Sequence, residues 1–413
     1  MILLFGYIVV NYFCGLFFSK NNRQAKACLI CAIVFNIGIL GVFKYYNFFT
    51  ENLSILLSRF GIQIGVLHLI LPLGISFFSF QCVSYVIDVY QKKSEPCRSF
   101  LDFSFFILYF PKLMVGPIVR ATDFLPMLRN RPEISFELFF AGARKFLFGL
   151  FSKLVIADTL ALYVNTVFDN YAVFNGLTLF FAIVAYSIQI YCDFCGYSDM
   201  AIGCSRMLGY DLCENFNLPY LSGSVTEFWR RWHISLSSWL RDYLYIPMGG
   251  NKKGEFRSYL NSFLTMLIGG LWHGSSWTFI IWGAWHGVAL VIHRLWKKYT
   301  TDRLGLPYGI ALILTIVTVM FGWLFFRATT FQQAVTMLVK IITFSSGIGY
   351  YDPTVLYILP VCLLAHVAAK FGWHKKWYEC KPSVWGFFVL WMLLLSVLVF
   401  RPTVFQPFVY NQF

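Results

Sequence analysis

The chain has 413 residues, of which 58% are hydrophobic, 20% aromatic and only 13% charged, with a formal net charge of +14. A soluble domain carries about 25% charged and about 45–50% apolar residues, so this composition excludes an ordinary water-soluble globule, a disordered chain and a small disulfide scaffold. The basic excess has an ordinary source in cytoplasmic loops facing anionic headgroups, and no nucleic acid is needed to explain it.

Solid apolar stretches of about 20 residues recur from end to end, which predicts an all-α, polytopic integral membrane protein. A transmembrane barrel would need alternating segments of about ten residues instead. Met1–Phe18 lacks the basic start and small-residue cleavage site of a secretory signal, so it reads as a first spanning helix. Lys20, Arg23 and Lys26 follow at once and suggest a cytoplasmic loop. Further membrane segments are predicted at 27–49, 67–90, 103–119, 135–165, 176–203, 258–271, 277–296, 307–326, 353–371 and 383–400. That makes roughly eleven, two of them too short to cross alone and expected as re-entrant or tilted pieces. No repeat, low-complexity tract or long linker divides the chain, so one membrane domain over 1–413 is expected.

Polarity along the chain is uneven. The flanking spans read as nearly charge-free, whereas the block from Asp193 to His293 holds Asp199, Arg206, Glu227, Arg230, Arg231, His233, Arg241, Asp242, His273 and His286. Ionisable groups at membrane depth cost about 2.5–3.5 kcal/mol even on the lenient scale and usually serve a function. The catalytic core is therefore expected at about 190–295.

Within it, Ser224-Val-Thr-Glu227 has the form of a capping box, so a helix should begin near Val225. Over 225–243, Trp229, Trp232, Leu236, Trp239, Leu240 and Tyr243 share one arc, with Arg230, Arg231 and Arg241 on the other side. This pattern predicts a helix lying in the membrane interface. His233 falls at the edge of the stripe, where it either turns inward or serves a plain interfacial anchor. Further on, Gly269, Gly270 and Gly274 interrupt a hydrophobic run and place His273 at a break. Unwound backbone in a membrane is tolerated only where protein buries it or water reaches it. His273 is then either a proton acceptor open to substrate or a structural residue bonding a freed carbonyl.

His286 and His293 lie on a continuous helix and are expected to pack. There is no HExxH, P-loop or GxSxG signature, and no metal site is expected. The cysteines of Cys28–Cys31 and Cys192–Cys195 lie in apolar helical sequence and read as small packing residues.

The run "ENFNLPYLSGSVTEFWRRWHISLSSWLRDYLYIPMGGNKKG", followed by "GGLWHGSSWTFIIWGAWHG", resembles bacterial membrane-bound O-acyltransferases of the alginate O-acetylase type. "LPLGISFFSFQCVSYVIDVY", "FPKLMVGPIVR", "GYSDMAIGCSRMLGY", "FGWLFFRATTF" and the terminal "FVYNQF" extend the likeness from Pro72 to Phe413. Members of that family usually carry one or two further hydrophobic segments before the stretch matching Met1–Phe18. The resemblance implies a ring of helices around a thinned centre, with a narrow tunnel joining the two faces at two histidines. It implies His273 as the catalytic base and His233 as its helper.

An acyl group, with acetyl favoured, would come from a cytoplasmic thioester such as acetyl-CoA; no permanently bound cofactor is implied. The enzyme would sit in the bacterial cell (inner) membrane, and the group's destination would be an extracytoplasmic polysaccharide, reached through a secreted or membrane-anchored SGNH-type transferase. Arg230, Arg231 and Arg241 could attract the donor's phosphates, or simply anchor their helix. The terminal Phe408-Val-Tyr-Asn-Gln-Phe413 fits the F-x-Y-x-x-F pattern at the ends of similar enzymes or of their small partner peptides, and that likeness implies Tyr410 as a transient acyl carrier. Anchoring by interfacial aromatics is the alternative. A lipid or glycan transporter is the competing class, but transporters often show repeats and charged pairs in both halves, and this chain has one central cluster.

Overall fold

The computed structural model describes residues 2–18, 24–62, 67–130, 133–300, 306–372 and 382–409. Among them the chain is helical, with one isolated parallel bridge between Phe174 and Ile348. It forms two compact units, one from Met1–Ile134 with Gly209–Cys213 and one from Ser135–Leu208 with Glu214–Phe413. Among the described residues, five helices are long and apolar enough to cross a membrane: Ala25–Ser58, Phe136–Asp169, Gly176–Met207, Trp277–Tyr299 and Tyr308–Arg327. Five shorter apolar helices accompany them. The protein is a multi-pass membrane protein.

In the first unit, α1 (Ile2–Phe18), α2 (Ala25–Ser58) and α3 (Ile75–Tyr90) are joined by buried polar residues. The Asn11 and Asn36 amides exchange hydrogen bonds of 3.0 and 2.8 Å, and the Tyr7 hydroxyl donates to the Asn36 carbonyl at 2.9 Å. Such pairs hold helices together where apolar burial gives no preference between partner and lipid. Helix α3 starts at Ile75 and not near 67, because Gly74 takes a left-handed conformation with φ of +75° at its N-terminus. The segment expected over 103–119 is likewise not one helix. It divides into α4 (Phe100–Leu108) and α5 (Phe110–Leu113), with Pro111, which lacks an N–H, in the first turn of α5. Helix α6 (Ala121–Arg129) follows.

The second unit is built on α7 (Phe136–Phe151), a π-helical turn (Ser152–Ala157) and α8 (Asp158–Asp169), which run on as one rod against α9 (Gly176–Met207). Glycines set their separation. A Cβ at Gly149 would lie 2.5 Å from the Gly196 carbonyl oxygen, and one at Gly142 would lie 2.6 Å from that of Gly203. The flank is not charge-free as expected. Lys145 pairs with Asp199 and Glu214 at 3.2 and 2.7 Å, and Lys153 with Asp158 and Asp193 at 2.6 and 2.7 Å.

We expect Gly149→Leu to cost about 3 kcal/mol, the upper end for an overpacked core, seen as a lowered Tm in detergent. Gly38→Leu is the control, since nothing lies within 4 Å of a Cβ there. An unchanged Tm for Gly149→Leu would contradict the seam.

The rest of the unit comprises α10 (Val225–Arg231), α11 (Ile234–Leu240), a π-helical turn (Arg241–Tyr245), α12 (Glu255–His273), α13 (Trp277–Tyr299) and α14 (Tyr308–Arg327). Helices α15 (Phe331–Ile342), α16 (Pro353–Ala369) and α17 (Val384–Phe400) follow among the described residues. Helix α15 was not among the expected segments. Its Gln333 donates to the Phe168 carbonyl at 2.7 Å, and the Thr330 hydroxyl caps its start.

Candidate active site

The capping box at Ser224 forms the start of α10: the Ser224 hydroxyl accepts from the Glu227 N–H at 3.2 Å, while the Glu227 carboxylate accepts from the Gly223 N–H at 2.8 Å. The helix does not continue to 243, however. It ends at Arg231, and His233 stands between α10 and α11 with φ of +43°. The cause is a loop that takes over the freed backbone groups at both ends. The Asn217 N–H donates to the Arg231 carbonyl at 2.9 Å, and the Ile234 N–H donates to the Asn215 carbonyl at 2.9 Å. The continuous amphipathic arc is thereby replaced by a buried corner in which Trp232, His233, Leu236, Trp239 and Leu240 all face inward.

Asn215 also fixes the imidazole. Its Oδ1 accepts from the Ser235 N–H at 3.2 Å and the Ser235 hydroxyl at 2.9 Å, and lies 3.1 Å from His233 Nδ1. An oxygen surrounded by donors assigns the His233 hydrogen to Nδ1 and the ring's lone pair to Nε2. The ring is fully buried, with Phe194 edge-on at 4.5 Å. Burial pushes the pKa of His233 down to about 3.

The unfolded chain then takes up a proton at His233 below about pH 6.5, and the folded one does not until about pH 3. His233 therefore adds no pH dependence above 6.5 and weakens the fold as pH falls below it. Relative to His233→Gln, the wild type should lose about 2 kcal/mol between pH 6.5 and 5, at ~1.4 kcal/mol per unit. Thermal melts of both proteins across that range check this, and a constant difference would contradict it.

His273 is the last residue of α12, and the chain leaves the helix at Gly274 in extended form. The break is thus confined to the residues between α12 and α13. Gly269 and Gly270, expected to unwind the chain, are helical. The α12–α13 hairpin packs there so closely that a Cβ at Gly283 would lie 2.6 Å from the Met266 carbonyl oxygen. The His273 ring, 5% exposed as a residue, is enclosed by Trp272, Trp282 and Phe326 at 5.0, 4.9 and 5.3 Å. Trp272 also lies 6.2 Å from the His233 ring. One indole therefore connects the two histidines.

His286 packs edge-on against Trp229 and Trp282 at 5.1 and 5.0 Å, and His293 Nδ1 lies 2.9 Å from the Thr226 hydroxyl, so both take part in packing as expected. The arginines are not gathered at the histidines by any contact of this kind. Arg231 pairs with Glu227 at 2.6 Å, Arg241 with Asp242 at 2.7 Å, and Arg230 is exposed. Tyr410 lies outside the described residues. Asn215, Trp272, Phe194 and Lys153 were not anticipated as site residues. Asn215 lies within the run that carries the family resemblance, but nothing in its spacing points to His233.

A family described as membrane-bound O-acyltransferase matches residues 73–334, a stretch that includes both histidines. The chain is 43% identical to a "Probable alginate O-acetylase" of Pseudomonas aeruginosa over 382 residues, covering 90% of this chain and 72% of the relative. It is 37% identical to a "Peptidoglycan O-acetyltransferase" of Helicobacter pylori over 365 residues, 81% of this chain and 69% of the relative. A "Teichoic acid D-alanyltransferase" of Bacillus subtilis is 30% identical over 287 residues, 64% of this chain and 71% of the relative.

Proposed function

The chain belongs to the membrane-bound O-acyltransferase family, and from that premise we propose that it takes an acetyl group from a cytoplasmic thioester, acetyl-CoA, and passes it toward hydroxyls of an extracytoplasmic polysaccharide. It is an acyltransferase of the bacterial cell membrane. The relatives named above act on alginate, peptidoglycan and teichoic acid, so the acyl transfer is what they share.

The observation that carries the reading is the pairing of His233 and His273 across Trp272, inside the family-matched stretch. A thioester is already activated, so the protein must position it, remove a hydroxyl proton and steady an oxyanion. His273 acts as general base. The hydroxyl oxygen attacks the thioester carbonyl as its proton moves to His273; the C–S bond then breaks, and the leaving thiolate takes that proton back. His233, held in one tautomer by Asn215, orients the reacting group. Arg230, Arg231 and Arg241 draw in the donor's phosphates. Tyr410 is the first acceptor, and an SGNH-type partner outside the membrane moves the acetyl group from its phenyl ester to the polysaccharide. The whole chain serves as one membrane domain, with its catalytic core at about 190–295.

Incubating the purified protein with labelled acetyl-CoA tests this reading. Release of free CoA with label retained on protein or acceptor supports it, and intact acetyl-CoA after long incubation would contradict it.

A further inference from the structure

The C-terminal segment is seated on charged residues buried between α8 and α9. Lys153 Nζ lies 2.6 Å from Asp158 Oδ1, 2.7 Å from Asp193 Oδ1 and 3.4 Å from the carbonyl oxygen of Gln406. Asp193 divides its carboxylate: Oδ1 faces Lys153, and Oδ2 accepts the N–H of Val409 at 2.8 Å. The Gln406 side chain is held as well, since its Oε1 accepts from Asn165 at 3.2 Å, and Asn165 in turn accepts from Arg327 at 2.8 Å. Phe408 packs on Tyr197 and Phe194 at 4.8 and 5.9 Å.

One lysine and two carboxylates in an apolar interior are costly unless every group is paired. Gluing α8 to α9 would need only the Lys153 contacts to the two aspartates. Yet Asp193, 1% exposed, directs its second oxygen to a backbone group 216 residues away, a charge-assisted bond of the stronger kind. The helical turn that receives the tail also carries Phe194, whose ring lies against His233 at 4.5 Å.

We propose that Lys153, Asp158 and Asp193 are positioning residues that latch segment 406–409 onto α9, and so set the place from which Tyr410 serves the His233–His273 site. The inference rests on the reading of Tyr410 as acyl acceptor, and it assigns the residues that present it.

The test uses the full-length protein in detergent, cleared of reactive native thiols, with a nitroxide on the exposed Pro407→Cys. Val409→Pro removes the N–H that Asp193 accepts and leaves the Lys153–Asp158–Asp193 cluster whole; Asp193→Leu and Asp193→Asn probe the other side. Val409→Ala keeps the N–H and is the control. We expect an immobilised nitroxide in the parent and Val409→Ala, and a mobile one in Val409→Pro and Asp193→Leu. Acetyl transfer from acetyl-CoA should fall at least tenfold in both mobile variants with the KM for acetyl-CoA unchanged. Asp193→Asn, which retains an acceptor oxygen, should recover part of it. Val409→Pro should keep the parental Tm, which separates loss of the latch from loss of fold.

A nitroxide that stays immobilised in both variants, or one that is released while transfer continues at the parental rate, would overturn the proposal. If Tyr410→Phe transfers normally in the same assay while the latch variants release the tail, the carrier reading is what has failed, and with it the latch's role in transfer.

Discussion

Alanine at position 273 is expected to abolish acyl transfer while leaving the protein folded and inserted. The imidazole closes α12 within a wall of Trp272, Trp282 and Phe326. Its removal opens a cavity but frees no charge. General-base assistance is worth about 10²–10⁴-fold, enough to bring glycan acetylation in complemented cells below detection. The same change at His233 should be milder, because an imidazole that Asn215 holds with its lone pair at Nε2 orients a partner without having to exchange a proton. Matching expression by immunoblot, with acetyl content measured on the isolated polysaccharide, decides between them. Full acetylation with His273→Ala would remove the base from the account. A fatal His233→Ala beside a mild His273→Ala would exchange the two roles.

Tyr410→Phe should be as damaging as the loss of the base. The substitution keeps an aromatic ring and deletes only the hydroxyl, so an anchoring role would survive it. A phenol, with a pKa of about 10, gives up its proton more readily than a sugar hydroxyl, and its ester remains a good donor for a second enzyme. We therefore expect glycan acetylation to vanish while acetyl-CoA binding stays as in the wild type. Normal acetylation in this variant would make Tyr410 an anchor and send the acyl group by another route.

How much of this was legible in the sequence depends on whether each signal is local. The start of α10 was, because a Ser224 hydroxyl and a Glu227 carboxylate act within one turn. The corner at His233 was not. Helical periodicity runs unbroken through 225–243, and the break depends on Asn215 and Asn217, brought alongside by tertiary folding. Gly269 and Gly270 illustrate a second ambiguity, since the same residue type can release a helix or let two helices approach. Here Gly270 does the latter, since a Cβ there would lie 2.4 Å from the Phe279 carbonyl oxygen, while Gly269 meets only the Leu240 side chain.

Lys145 and Lys153 carried a readable signal, a charge inside an apolar run. The acidic partners that give it meaning lie on α9, 54 and 40 residues further along the chain for Asp199 and Asp193. The histidines themselves were found by residue type and family resemblance. Trp272, the ring between them, carries no local signal of its own, because its contact with His233 depends on how α12 packs against the corner.

In the proposed mechanism His273 drives an acetyl group from a thioester onto this chain's own Tyr410. Purified wild-type protein and His273→Ala, each mixed with labelled acetyl-CoA, quenched in acid and digested, allow mass spectrometry of the C-terminal peptide to test it most directly. An acetyl ester is expected on Tyr410 in the wild type and none in His273→Ala. An unmodified Tyr410 in an enzyme that is consuming acetyl-CoA, or an equal ester in both proteins, would contradict it.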